Sequence, residues 1–335
     1  MRGDASAAHD SFPRLVADIG GTNARFGWLA DAASTVQHVR RLPVLAHAGP
    51  APAVNAYLGE LELLLGTAYR PPRRAAFAVA SSVAGDQVDL TNSHWSFSRA
   101  GVEAELDLDM LLVLNDFEAL ALSLPRLGAS QLRSHDQRPL PAPGGTLAVI
   151  GPGTGLGVGG VVQTRHGWVA LSGEGGHATL SAADDFESEL LARVRREYPH
   201  VSAERLLSGI GLPVLHAAAT ATTGATAAAL TAEEIVERAA TGSDPDCART
   251  LDLFCALLGS FAGNVALTLG ARGGVYIGGG IVPRLGERFF ASRFRERFEA
   301  KGRFRSYLEG IPTVLIVDTE AALTGAALAI EQSAD

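Results

Sequence analysis

At 335 residues the chain is long enough for about two domains with sizeable cores, and 47% hydrophobic with 19% charged residues excludes disordered and fibrous classes. A formal net charge of −8 opposes non-specific attraction to nucleic acid or an anionic membrane. Lys301 is the sole lysine and no Gly-Lys-Ser/Thr occurs, which excludes a Walker A nucleotide loop and argues against Schiff-base chemistry.

Residues 1–12 read as a loose tail, small and polar, without the apolar run of a signal peptide. Leu15 to Leu29 then reads as an apolar strand, a tight polar turn and a second strand. Gly20 and Gly21 are expected to give that turn backbone angles closed to other residues, bringing amide N–H groups close to a ligand. Thr22 and Asn23 add side-chain donors, and Asp18 supplies a carboxylate suited to steering Mg²⁺. A plain hairpin with a Gly turn fits the same residues. A third strand over 35–42, an amphipathic helix over 54–65 and an apolar strand over 74–80 make an α/β start. That strand runs into the loop 81–86, beside Leu90 to Trp95. A short buried strand over 111–114 ends at Asn115-Asp116, and a helix continues over 117–124. Polar groups at the C-terminal end of a strand, facing a helix start, occupy the usual ligand edge of an open α/β sheet. Asp116 suits a general base for an alcohol, and equally a helix N-cap.

Gln131 to Gly145, rich in proline and polar residues, marks a domain boundary. A strand over 146–150, the turn Gly151-Pro-Gly-Thr-Gly155 and a strand over 156–162 then repeat the opening design, a weak internal duplication that gives two phosphate hairpins facing one cleft. Gly155-Leu-Gly-Val-Gly-Gly160 has the spacing of a dinucleotide fingerprint, but strands follow it where a helix is required. In the loop 172–178, Glu174 and His177 offer an acceptor and a donor for vicinal sugar hydroxyls, or are simply solvated; no third ligand sits at zinc spacing. Helical sequence follows over 184–269. Cys247 and Cys255 fall on one helix, about 12 Å apart along its axis, so they cannot pair, a reduced cytosolic pattern. Leu253 to Ala271 carries no charge, yet its polar residues and the strand that follows at once indicate a buried helix rather than a membrane span. A strand over 273–277 ends in Gly278-Gly279-Gly280, which either lets a flat base approach backbone or makes a tight strand-to-helix turn. Residues 287–305, interleaving Arg with Phe, read as an amphipathic helix with a solvated basic face. A strand over 313–317 and a helix over 320–330 close the chain.

The combination of Asp18-Ile-Gly-Gly-Thr-Asn-Ala-Arg25, Leu114-Asn-Asp-Phe-Glu-Ala119, Ile150-Gly-Pro-Gly-Thr-Gly-Leu-Gly157, Gly173-Glu-Gly-Gly-His177, Glu204-Arg-Leu-Leu-Ser-Gly209 and Tyr276-Ile-Gly-Gly-Gly-Ile-Val282 resembles the bacterial glucokinase family, in order and over nearly the whole chain. The resemblance implies an α/β fold of the actin/hexokinase/Hsp70-like ATPase type, with ribonuclease H-like motifs and two α/β domains flanking a cleft. A small domain would span 13–125 plus 318–335, and a large one 126–317. It implies ATP-dependent phosphorylation of D-glucose to glucose 6-phosphate, the first step of glycolysis, by a cytoplasmic homodimer that uses ATP and Mg²⁺ and releases ADP.

By the same resemblance Asn115 and Asp116 would bind glucose, Asp116 acting as general base on the 6-hydroxyl. Glu174, His177 and Glu204 would hold the other ring hydroxyls, with Asn92 assisting. Ala17, Asp18, Ile19, Gly20, Gly21, Thr22 and Asn23, together with Gly153, Thr154, Gly155, Gly279 and Gly280, would contact the nucleotide. Asp18 would orient Mg²⁺ through water. The loop Ser81-Ser82-Val83 lacks the proline often found there. The Cys-rich zinc motif of the related repressor/kinase (ROK) family is absent, which disfavours that cousin. A kinase for another hexose or an aminosugar uses the same parts, and a non-catalytic sugar sensor shares the same fold.

Overall fold

A computed structural model describes residues 12–81, 83–135, 140 and 143–333. Most of the expected tail, Ser82 and the linker positions 136–139 and 141–142 lie outside the described residues. The chain forms two compact units, one of Met1–Leu127, Thr164–Ala170 and Thr319–Asp335, the other of Gly128–Gln163 and Leu171–Asp318.

In the first unit β1 (Arg14–Ile19) and β2 (Asn23–Leu29) form an antiparallel hairpin, with Arg14 opposite Leu29 and Ile19 opposite Ala24. β3 (Gln37–Pro43) continues the sheet beyond β2. α1 (Pro50–Leu65) begins earlier than its apolar periodicity suggests, because proline is well suited to a helix's first turn, where its missing N–H has no partner to lose. β4 (Arg74–Val79) pairs in parallel with β1. The small hairpin of β5 (Gln87–Asp89) and β6 (Ser96–Ser98) leads through α2 (Arg99–Glu105) to β7 (Met110–Asn115), parallel to β4, and then to α3 (Asp116–Ser123). The sheet order is β3-β2-β1-β4-β7. Both faces of its centre are buried, which is why these strands read as nearly continuous apolar runs. Leu15, Ile19, Phe26 and Phe77 pack with Tyr57 and Trp95 on one face, and Val16 and Ala76 pack with Leu323, Ala326 and Ile330 on the other.

In the second unit β8 (Leu132–Ser134) lies inside the stretch expected to be only linker, because it pairs with a strand 180 residues further on. β9 (Thr146–Pro152) and β10 (Leu156–Thr164) form the second antiparallel hairpin, and β11 (Gly167–Leu171), whose residues 167–170 are counted with the first unit, follows in the same sheet. α4 (Asp185–Val194), α5 (Gly211–Thr222), α6 (Ala232–Thr241) and α7 (Pro245–Leu269) precede β12 (Gly274–Ile277) and β13 (Thr313–Ile316). The strand order is β11-β10-β9-β12-β13-β8. Without β8 it matches the first sheet position for position, and β9, β12 and β13 run parallel as β1, β4 and β7 do. The repeated hairpin is therefore part of a repeated sheet.

α7 is long and apolar enough to cross a membrane by length and composition, but it is the core helix of this unit, burying Phe254, Leu257, Leu258 and Phe261. Asp244 caps its start, and Gly270, at φ 63°, ends it. Residues 287–305 are not the single helix with a solvated basic face that their pattern suggests. They form short helices at Glu287–Ala291 and Phe294–Glu299, with a turn at 302–304 where Gly302 takes φ 55°. Two of the arginines point inward. Arg297 is buried and donates to Glu187 at 2.9 Å and to Ser260 at 3.2 Å, while Arg295 donates to Glu299 and to the carbonyls of Ile311 and Leu308.

The chain returns to the first unit in α8 (Ala321–Gln332). Gly325 lies so close to α3 that a Cβ there would stand 1.6 Å from the Ala119 carbonyl oxygen. Gln332 exchanges two hydrogen bonds with the backbone of Trp168, at 2.8 and 2.9 Å, which ties 164–170 to this unit although the expected span 126–317 contains them.

Candidate functional site

Parallel pairing brings three segments of the first unit to one edge. Ile19, Val79 and Asn115 stand side by side at the C-terminal ends of β1, β4 and β7, so the turn at 20–22, Ser81 and Asp116 all leave the same side of the sheet. The turn is closed by the Gly20 amide donating to the Asn23 carbonyl at 2.9 Å, and the Val44 amide donates to the Thr22 carbonyl. Neither Gly20 nor Gly21 adopts a positive φ, so the expected conformational reason for glycine does not apply. Space is the reason at Gly21, where a Cβ would meet the Asn92 carbonyl oxygen at 2.5 Å. The opening turn and the loop carrying Asn92 therefore touch. Ala17 and Ile19 are buried core residues whose side chains face the hydrophobic cluster, leaving only their backbone for any ligand.

Asp18 is half-buried and pairs with Arg25 across the hairpin at 2.9 Å. Burial pushes its carboxyl above the ordinary range, and the Arg25 charge pulls in the opposite direction. The sequence quotes Arg25 in its opening motif without giving it a role; its signal is the hairpin register, which sets Arg25 opposite Asp18 once the turn length is fixed.

Asn115, not Asp116, is the N-cap of α3. Its Oδ1 accepts from the amides of Phe117 and Glu118, and its Nδ2 donates to the Ser81 carbonyl at 3.0 Å. Among the described residues the second N–H of that amide makes no further hydrogen bond. Asp116 opens the helix half-buried, with Oδ1 accepting the Phe117 amide at 2.9 Å.

The second unit carries its own cluster. The turn at Gly153–Gly155 is closed by the Gly153 amide donating to the Gly155 carbonyl at 2.8 Å, and it is held from outside by the Gly209 amide donating to the Gly153 carbonyl at 2.7 Å. Thr154 is exposed at its tip. Glu204 accepts the Leu156 amide through Oε2 at 2.9 Å and places Oε1 3.9 Å from Nε2 of His177. Glu174 is exposed and bridges to Val158 of β10. Gly279, at φ 76°, packs against the end of β9, where a Cβ would lie 2.4 Å from the Pro152 carbonyl oxygen. The tight strand-to-helix turn accounts for it. Gly280 is exposed, with nothing within 4 Å of a Cβ. Glu174, His177, Glu204, the turn and Gly279 thus belong to one unit, and Asp18, the first turn, Asn92, Asn115 and Asp116 to the other. Among the described residues no group of three or more His, Cys, Asp or Glu side chains forms a metal cluster.

Two sheets of matching order, each led by a hairpin with a Gly-rich turn, define the actin/hexokinase-like ATPase fold. The glucokinase family model matches residues 15–333. The glucokinase of Aromatoleum aromaticum is 51% identical over 324 residues, covering 97% of this chain and 96% of that protein. The crystal structure of a glucokinase from an Antarctic psychrotroph superposes with a TM-score of 0.87 at 39% identity, over 95% of this chain and 98% of its own. A ROK family glucokinase from Streptomyces griseus, solved in complex with glucose and AMPPNP, shares the fold at 19% identity and a TM-score of 0.59, over 96% of this chain and all of its own. The chain belongs to the glucokinase family.

Proposed function

We propose that the protein is an ATP-dependent glucokinase that transfers the γ-phosphoryl group of ATP to the 6-hydroxyl of D-glucose. Its family membership supports this, and one structural observation carries it: a phosphate turn and a candidate base share an edge. With Ile19, Val79 and Asn115 in one row, Gly20–Thr22 and Asp116 lie about 10 Å apart across two strand spacings, a separation a phosphorylated sugar hydroxyl can bridge.

The amides and hydroxyls of 20–23 and 153–155 hold the phosphates without a lysine. Asp116 accepts the proton of the 6-hydroxyl as its oxygen attacks phosphorus, while Asn92, Asn115, Glu174, His177 and Glu204 hold the sugar. Gly279 and Gly280 would let the flat base of ATP approach the backbone. Mg²⁺ neutralises charge on the transferring phosphoryl group when it is bound. Asp18 fits a water-mediated role toward that ion, since one carboxylate already shared with Arg25 is too few donors for a protein cage.

We also place the protein in the cytoplasm as a homodimer. Cys247 and Cys255 are buried and unbridged, with thiols pushed up to about 11 and about 12 by burial, in keeping with a reducing compartment. Sedimentation at twice the protomer mass checks the dimer.

Steady-state ADP release with glucose, mannose, fructose and N-acetylglucosamine tests the activity. Glucose should give by far the highest kcat/KM, because a site that hydrogen-bonds each hydroxyl rejects an analogue that leaves one unpaired. Turnover of mannose or an aminosugar alone would change the substrate, and glucose binding without ADP release would make the protein a sensor.

A further inference from the structure

In the second unit one carboxylate serves two neighbours. Glu204 Oε2 accepts the Leu156 amide at 2.9 Å, and Oε1 stands 3.9 Å from Nε2 of His177. The first neighbour opens β10 directly after the phosphate turn, and the second lies in the loop 174–178. That loop is itself locked onto the turn's outgoing strand. Gly176 is so close that a Cβ would lie 1.9 Å from the Leu156 carbonyl oxygen, and the Glu204 amide donates to the Gly176 carbonyl at 2.9 Å. On the turn side, a Cβ at Gly155 would fall 2.5 Å from Glu204 Oε2. Glu204 therefore sits in a slot bounded by the turn on one side and His177 on the other.

We propose that Glu204 is a positioning residue that couples nucleotide binding to sugar binding. This rests on the glucokinase reading above and adds a route between its two ligands. Fixing Oε2 on a backbone amide leaves the carboxylate little freedom, so the direction of Oε1, the oxygen offered to His177 and the sugar, follows the position of the Leu156 N–H. A phosphate that orders the turn thereby orders the sugar acceptor, and a sugar that holds Oε1 steadies the turn. Linkage makes the two effects equal in binding free energy.

The test is Gly155→Ala. The added methyl collides with the far end of a flexible side chain, not with backbone, so the chain accommodates it by swinging the carboxylate away. Glucose affinity is measured by calorimetry without nucleotide. It should weaken about 10- to 100-fold, the loss expected when a hydrogen bond to a charged group is misplaced, although the substitution lies in the phosphate turn. Gly153→Ala, with nothing within 4 Å of its Cβ, is the comparison: it should alter the KM for ATP and leave the glucose Kd in place. Glu204→Gln should weaken both glucose and ADP binding, and adding Gly155→Ala to it should cost glucose little more, because the group that the methyl displaces is already impaired.

An unchanged glucose Kd in folded Gly155→Ala overturns the coupling, as do fully additive losses in the double variant. If Gly155→Ala does not fold, an unchanged ADP Kd in Glu204→Gln overturns it instead. Failure of the native enzyme to phosphorylate glucose overturns the glucokinase reading, a result separable from any of these.

Discussion

Arg25 and Asp18 face each other across the first hairpin, guanidinium to carboxylate at 2.9 Å, one residue before β1 enters its phosphate turn. Burial raises the pKa of that carboxyl, and the Arg25 charge opposes the rise without cancelling it. A carboxyl whose pKa is higher folded than unfolded contributes stability that is fully present below the unfolded value and lost as pH rises through the folded one. The stability that Asp18 contributes is therefore lost as its carboxyl ionises with rising pH. Asp18→Asn should melt a few degrees above the native enzyme at pH 7, with the gap closing toward pH 4. Its KM for ATP should rise about tenfold or more, with glucose affinity retained. Melting curves across pH and steady-state kinetics check both halves, and equal damage to glucose and ATP use would undo the assignment.

Asp116→Asn should lower kcat by about 10²–10⁴-fold, the usual contribution of a general base, while calorimetry still finds glucose bound. The helix should survive, because its cap is Asn115. Asn115→Ala, by contrast, should cost about 1 kcal/mol of stability through the lost cap, read by urea denaturation.

Glu187 and Arg297 are an ion pair with 1% and 6% of their side chains exposed, joining α4 to the segment after β12. Glu187→Ala leaves the buried guanidinium only Asp184 at 3.7 Å and Ser260 as partners, and should destabilise the protein by about 3–5 kcal/mol in urea. Turnover well below the unfolding transition should hold, since neither residue belongs to the proposed site.

Gly325→Ala would press a methyl into the Ala119 carbonyl, and neither helix backbone can yield locally. Separating α8 from α3 should cost about 1–3 kcal/mol or more. It should also lower kcat, because Asp116 opens the displaced helix. A variant with reduced thermal stability and native kcat would separate this packing from the placement of Asp116.

Much of the local framework around the candidate site was legible because its signals are local. Asp18 to Asn23, the turn at 151–155 and Asn115-Asp116 announce strand, turn and helix start within a few residues of each other. What was misread depended on partners far along the chain. Arg295 and Arg297 read as solvated from their pattern alone, whereas Glu187, Ser260 and the carbonyls of Leu308 and Ile311 stand beside them. β8 looks like linker until β13 pairs with it. At Gly21 the residue type was informative and its expected reason was not: the constraint is the backbone of Asn92, some seventy residues away.

The helix 321–332 covers one face of the sheet that contains β1 and β4, meeting Val16 and Ala76 with Leu323, Ala326 and Ile330. On the ribosome those strands emerge before the helix, and their cover is made only after the stretch from Gly128 to Asp318 has been translated. At common elongation rates the nascent chain carries an uncovered apolar sheet face for about 10–40 s. Within that interval the sheet face stays open, and the first unit is completed only when translation nears its end.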